Sequence, residues 1–143
     1  MYSNIVVAYD GSDGAMAALR SAVGLADAWG GTIHLVHSTG HLEVAEQGVV
    51  QEDARAASDA ESALEKAANQ LDEVSVLTRV VTGNPIQGIV AAAEGVQADL
   101  IVTGSRGPAL MPEAVLGRVA SGIVSSSPCD VLVVQPRSCL PRF

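Results

Sequence analysis

The chain has 143 residues, a length typical of a single domain, and its 16 acidic and 8 basic residues give a formal net charge of −8. This charge argues against wholesale binding to nucleic acid or to an anionic membrane surface, and no apolar run approaches the roughly 20 residues that a membrane-spanning helix needs. Hydrophobic residues make up 48% of the chain but aromatic residues only 3%. The core must therefore be built from aliphatic side chains, which suits a parallel sheet covered by helices.

Neither end of the sequence indicates export. The N-terminal residues lead directly into an apolar strand without a preceding basic segment, so no signal peptide is expected. The two cysteines, Cys129 and Cys139, both lie near the C-terminus, where a disulfide would hold a tail without bracing the core. Two reduced thiols, as in a cytosolic protein, are the simpler interpretation.

The first half of the chain alternates between apolar strands and amphipathic helices. Residues 4–9 form a continuous apolar run, as expected of a central strand buried on both faces. Ser12 or Asp13 is the expected cap of a helix that ends at the glycine pair 30–31. Residues 32–37 predict the second strand, 38–50 a loop, and 51–71 a long helix with a charged, solvated face. The apolar stripes of the two helices are Met16, Leu19, Val23 and Ala26, and Ala57, Ala60, Leu64, Ala67 and Leu71.

The second half continues the alternation. Residues 75–81 alternate, with Arg79 on one side, which predicts an edge strand. Asn84 and Pro85 predict the cap and first residue of the third helix, and the apolar residues 100–103 predict a second central strand. The last helix is expected to begin near Gly117, residues 130–134 to form the final strand, and 137–143 a loose tail. The buried stripes of these two helices are Ile86, Ile89, Val90 and Ala93, and Leu116, Val119 and Ile123.

The element order predicts one α/β domain over residues 1–136, a doubly wound, Rossmann-like parallel sheet of five strands. Right-handed crossovers, with strands 75–81 and 130–134 at the edges, fit the strand order 3-2-1-4-5. In such sheets, ligands bind outside the carboxyl ends of the strands where the order reverses, here between strands 1 and 4. The loops that begin at Asp10 and at Gly104 should meet at this point.

Glycines in the second of these loops indicate an anion site. Gly104, Gly107 and Gly117 form a G-x-x-G-x9-G pattern between a central strand and a helix. This arrangement lets backbone amides wrap a phosphate chain, although three glycines in isolation are equally compatible with simple turns. Arg106 and Arg118 give the loop a positive charge suited to phosphate, unless they point into solvent or pair with Glu113.

The evidence for a functional role is weaker at the other candidate residues. Asp10 can accept hydrogen bonds from a ligand amine or ribose hydroxyl, or act only at the start of the helix that follows. His34 and His37 are three residues apart and so project to opposite faces of a strand. With His41 they are therefore not expected to bind a metal. Ser105 lies outside a G-x-S-x-G nucleophile pattern, and no catalytic base is identifiable.

Taken together, the motifs resemble the universal stress protein family. They are AYDGS after strand 1, GNP before helix 3, ADLIVTGSRG at strand 4, the nine-residue spacer to Gly117, and SSSPCDVLVV at the end. The resemblance spans about residues 3–136 and implies the adenine nucleotide alpha hydrolase-like version of the fold. It also implies a cytoplasmic protein, commonly a homodimer paired through the last strand, from a family of which one branch binds ATP.

The resemblance assigns particular residues of this chain to a nucleotide site. Asp10 and Val36 match positions that hold the adenine or ribose end. Arg118 departs from the Ser or Thr of the ATP-binding branch, and Ala120 replaces a frequent Ser. The lost hydroxyl removes a phosphate and Mg²⁺ contact, whereas Arg118 either supplies a charged contact instead or fills the phosphate space. The residues matched to the ribose and phosphates lie in or beside the glycine loop: Gly104, Ser105, Arg106, Gly107, Gly117, Arg118 and Val119.

The expected function is an ATP-binding, or AMP- or ADP-binding, module that switches or senses in a stress response. An apolar edge strand at Val131 to Val134 favours a homodimer, unless the C-terminal tail covers it. A ligand-free interaction protein of the same fold is the first alternative, which Arg118 favours. A slow ATPase or adenylyl-transferring enzyme is the second; against it, the chain lacks HxGH and KMSKS-like elements and a P-loop lysine, since its only lysine is Lys66.

Overall fold

The computed structural model describes residues 2–38, 50–71, 74–105 and 116–136. Its five strands form one parallel sheet in the order β3-β2-β1-β4-β5, which confirms the predicted order. The strands are β1 (Asn4–Ala8), β2 (Thr32–Ser38), β3 (Ser75–Val81), β4 (Leu100–Gly104) and β5 (Asp130–Val134).

Helices cover both faces of the sheet, so the sheet has two cores. One core packs β1, β2 and β4 against the first two helices, and the other packs them against the last two. The middle of β1 is completely buried, and alternate residues serve the two cores, because side chains of a strand point alternately to its two faces. The helices are α1 (Asp13–Trp29), α2 (Val50–Asn69), α3 (Pro85–Gly95) and α4 (Arg118–Ser126).

The predicted helix caps are confirmed. Ser12 is the N-cap of α1, and its Oγ accepts a hydrogen bond from the Ala15 amide at 3.2 Å. Asn84 caps α3 by accepting from the amides of Ile86 and Gln87, with Pro85 as the first helical residue. These caps satisfy amides that the first turn of a helix cannot satisfy itself, at about 1 kcal/mol each.

In two helices, the predicted apolar stripe differs from the set of residues that the structure buries. In α1 the most buried residues are alanines such as Ala18 and Ala22, whereas Met16 and Val23 are half-buried, because small side chains allow α1 to approach β4 closely. Leu116 precedes α4 and is 39% exposed. The helix begins only at Arg118, so Leu116 lies outside its helical register.

Some predictions fall on parts of the chain outside the described residues. These are the body of the loop after β2 (residues 39–49), the C-terminal tail (137–143), Cys139, and the side chains of Ala57 and Ala60. Cys129 is a free, half-buried thiol, and burial raises its pKa. Among the described helices, none combines the length and the apolar character needed to cross a bilayer.

Candidate functional site

The first loop of the site leaves the sheet at the carboxyl ends of β1 and β2. The Tyr9 amide donates to the Val36 carbonyl at 2.9 Å, which continues the β1–β2 ladder one residue beyond β1. Asp10 therefore leaves the sheet beside His37, which is the penultimate residue of the neighbouring strand β2. Asp10 is exposed, and its Oδ1 accepts a hydrogen bond from the Ser12 amide at 2.9 Å. Asp10 thus orders the turn while Ser12 caps α1.

Gly104, the last residue of β4 and the predicted start of the glycine loop, lies against the first turn of α1. A Cβ added to Gly104 would lie 2.8 Å from the carbonyl carbon of Gly14 and 2.9 Å from its oxygen. Only glycine allows this backbone-to-backbone approach. The exit of β4 is therefore held directly against the start of α1, beside the turn that Asp10 orders.

Ser105 closes the base of the glycine loop. Its amide donates to the Val134 carbonyl at 3.0 Å, and its own carbonyl accepts from the Gly117 amide at 2.7 Å. Ser105 is only 3% exposed, and its Oγ lies 3.5 Å from the Gln135 side-chain oxygen. The two ends of the segment 106–115 are thus tied together, although Arg106 and Gly107 themselves lie outside the described residues.

The N-terminus of α4 lies at the far end of this loop. Gly117 is its N-cap, and it makes no side-chain capping hydrogen bond. The first turn of α4 therefore presents backbone N–H groups that no cap side chain satisfies, together with the positive end of the helix dipole. Arg118, the first helical residue, is exposed, and Val119 is half-buried against the core. This combination suits an anion.

Val36 and His37 lie on opposite faces of β2. Val36 is 1% exposed, with its side chain in the core beneath α3 and its carbonyl bonded to Tyr9. His37 faces the opposite side of the sheet, where the Asp10 carboxylate is close enough to raise its pKa. Burial has the larger effect and lowers the pKa of His37, which favours the neutral imidazole. Its Nδ1 is buried with no hydrogen-bond partner among the described residues.

His37 is not among the nucleotide-site residues predicted from the sequence, where the histidines are considered only as metal ligands. The signal that identifies His37 is its position, directly after the last fully buried residue of a strand that neighbours the switch point. His34 lies on the other face of β2, with Nε2 3.2 Å from Asn4 Oδ1. Within the described part of the chain, no three side chains are grouped to hold a metal ion.

The site has two chemically distinct ends. Asp10 and a neutral His37 provide hydrogen-bond acceptors at one end, which suit the amine or hydroxyl donors of a ligand. The N-terminus of α4 and Arg118 provide donors and positive charge at the other. A ligand that is a donor at one end and an anion at the other, such as a nucleotide, fits these two ends.

Comparison with known proteins agrees with this geometry. A universal stress protein of Thermus aquaticus is 33% identical over 142 residues, which cover 94% of this chain and 100% of that protein. The solved structure of a universal stress protein from Lactobacillus plantarum has a TM-score of 0.74 at 27% identity, covering 93% of this chain and 97% of that one. A universal stress protein crystallised in complex with cAMP has a TM-score of 0.73 at 25% identity, covering 95% and 99%.

The sequence model of the universal stress protein family matches residues 1–135 of this chain. The match includes every strand and helix described above, as well as both loops of the site. Sequence, strand order and site geometry therefore lead to the same conclusion: the chain belongs to the universal stress protein family.

Proposed function

We propose that this protein binds an adenine nucleotide, ATP in the first instance, where the loops after β1 and β4 meet, and acts as a switching or sensing module in a cytoplasmic stress response. One observation carries the proposal. The Ser105–Gly117 hydrogen bond holds the N-terminus of α4, which has no side-chain cap, beside the carboxyl end of β4. The similar protein crystallised with cAMP supports an adenine nucleotide as the ligand class.

The proposal gives each end of the nucleotide to a different set of residues. Asp10 and His37 accept hydrogen bonds from the base or the ribose, with the backbone near Val36 forming the adjoining wall. Backbone amides and Arg118 bind the phosphates. Because Arg118 stands where a hydroxyl would contact Mg²⁺, the guanidinium takes over part of the charge compensation and Mg²⁺ should matter little. The other residues assigned to the phosphate end are Gly104, Arg106, Gly107 and Val119, together with Ser105 and Gly117, whose own amides already donate to the Val134 and Ser105 carbonyls and hold the base of the loop.

Isothermal titration calorimetry with ATP, ADP and AMP tests this proposal. We expect saturable binding of one nucleotide per chain, a raised melting temperature, and little change on adding MgCl2. Arg118→Ser should weaken ATP more than AMP and restore a dependence on Mg²⁺. If no nucleotide gives heat at about 1 mM, where even a weak site of about −4 kcal/mol would be half filled, the proposal is wrong.

A nucleotide-free interaction role is the second candidate, favoured by an exposed apolar edge. Among the strands of the described residues, β5 pairs only with β4, and Leu132 on this edge strand is 38% exposed. Unprotected apolar edges are normally paired or covered. We therefore also propose a homodimer joined through Val131 to Val134. Light scattering coupled to size-exclusion chromatography should give twice the 14.6 kDa chain mass, and a monomeric mass at micromolar concentration contradicts this interface.

A further inference from the structure

A second concave feature lies away from the strand ends, on the side of the sheet that α3 covers. α3 packs above β1 and β2 and beside α4, which leaves this face of the edge strand β3 partly uncovered. Leu77 on β3 is 59% exposed as a result. The hollow between β2, β3 and the C-terminal half of α3 has a volume of about 270 Å³. We call it the β2–β3 hollow.

The floor of the β2–β3 hollow is apolar. Val36 is 1% exposed and Ala92 is 3% exposed, and the half-buried Val96 extends this surface to the end of α3. The floor consists of small aliphatic side chains held by the rigid sheet and by α3. It therefore offers a preformed surface for a compact apolar group.

The rim of the hollow is positive. Arg79 lies opposite Val36 in the β2–β3 register, and among the described residues that line the hollow it alone carries a formal charge. Its Nη1 lies 3.6 Å from the position that a Cβ on Gly95 would occupy. The guanidinium therefore reaches from β3 to the last turn of α3, above the apolar floor. His34 also lines the hollow, and burial followed by the charge of Arg79 lowers its pKa, so that it remains neutral near pH 7.

We propose that the β2–β3 hollow binds a small organic acid, in which one carboxylate is joined to a compact apolar body. The carboxylate pairs with the guanidinium fork of Arg79, which is suited to two parallel hydrogen bonds, and the apolar body rests on Val36, Ala92 and Val96. None of the lining residues in the described part of the chain is acidic, although the chain as a whole carries a net charge of −8. The charge of the rim therefore selects an anion.

The volume limits the size of this ligand. Its volume of about 270 Å³ lies just below the range of about 300–1,000 Å³ for ligand pockets. A compact monocarboxylic acid such as benzoate is therefore a suitable probe for it. The hollow shares Val36 with the proposed nucleotide site, through the side chain of Val36 and not its backbone, and the proposal does not depend on nucleotide binding.

Nuclear magnetic resonance titration of the full chain, labelled with ¹⁵N, provides the test. The probe is sodium benzoate, and its neutral isostere benzamide is the ligand control. We expect saturable shifts of the Leu77, Gly95 and Val96 amides with millimolar affinity, and at least about tenfold weaker binding of benzamide, because the charge-assisted pair is lost.

Two matched variants complete the experiment. Arg79→Gln removes the guanidinium from an exposed position and should weaken benzoate at least about tenfold. Arg20→Gln removes an equal charge from the exposed surface of α1 and should leave the affinity unchanged. The proposal is overturned by any of four results: no saturable shift by about 10 mM benzoate, equal binding of benzamide, unaltered binding to Arg79→Gln, or shifts confined to the start of α4.

Discussion

Gly104→Ala tests the contact that brings the two loops of the site together. The new Cβ would lie 2.8 Å from the Gly14 carbonyl carbon, so β4 and α1 must separate by about 0.6 Å to reach the 3.4 Å of an ordinary contact. Both sides of the contact are backbone, and no side chain can rotate to relieve it. Overpacking of this kind costs about 1–3 kcal/mol, and we expect the upper half of that range.

The assay is urea unfolding followed by far-UV circular dichroism. We expect a lower midpoint with an unchanged slope, and a melting temperature lower by roughly 6–15 °C, at about 3–5 °C per kcal/mol for a domain of this size. The matched control is Gly24→Ala on the exposed side of α1, where an added Cβ meets nothing within 4 Å. This control should be neutral or more stable by about 0.5–1 kcal/mol. If Gly104→Ala unfolds at the wild-type midpoint, the close approach of β4 and α1 is wrong.

Two further predictions concern packing and protonation. In Gly122→Ala the new Cβ would overlap the Cδ1 of Ile86, and we expect the free energy of unfolding to fall by about 1 kcal/mol. The double variant with Ile86→Val should recover part of this loss in urea unfolding. If the effects of the two substitutions simply add, the contact between Gly122 and Ile86 is contradicted. The pKa values of His34 and His37 are lowered in the folded state from 6.5, so the unfolded chain binds more protons and the free energy of unfolding should fall as pH drops below about 6.5. His37→Gln should flatten that pH dependence, whereas an unchanged slope would remove His37 as a cause.

The sheet order was predictable because the signals that determine it are local and mutually consistent. The continuous apolar run of β1, the alternating residues of β3 and the turn at Asn84–Pro85 each correspond to one feature of the fold. Leu116 was assigned wrongly because an apolar residue at helical spacing does not reveal where a helix begins. That point is determined by the Gly117–Ser105 hydrogen bond, which joins residues 12 positions apart.

The site was only partly predictable for a related reason. The meeting of the Asp10 and Gly104 loops is expected from strand order, and the structure places Gly104 against Gly14, four residues after Asp10, whereas residues 106–115 of the second loop lie outside the described part of the chain. Whether Val36 or His37 contacts a ligand through its side chain depends on which face of β2 the side chain occupies and on which groups lie there. A family motif identifies the matching position in the sequence but not the face of the strand. The buried, unpartnered Nδ1 of His37 became visible only in the assembled fold.

A crystal structure of the protein with bound ATP or AMP is the most direct test of the proposed nucleotide site. We expect the base beside Asp10 and His37 and the phosphates on the N-terminal amides of α4, with Arg118 in contact with a phosphate oxygen. A nucleotide bound elsewhere would contradict it. So would a crystal soaked with nucleotide in which the guanidinium of Arg118 occupies the phosphate position and no ligand is present.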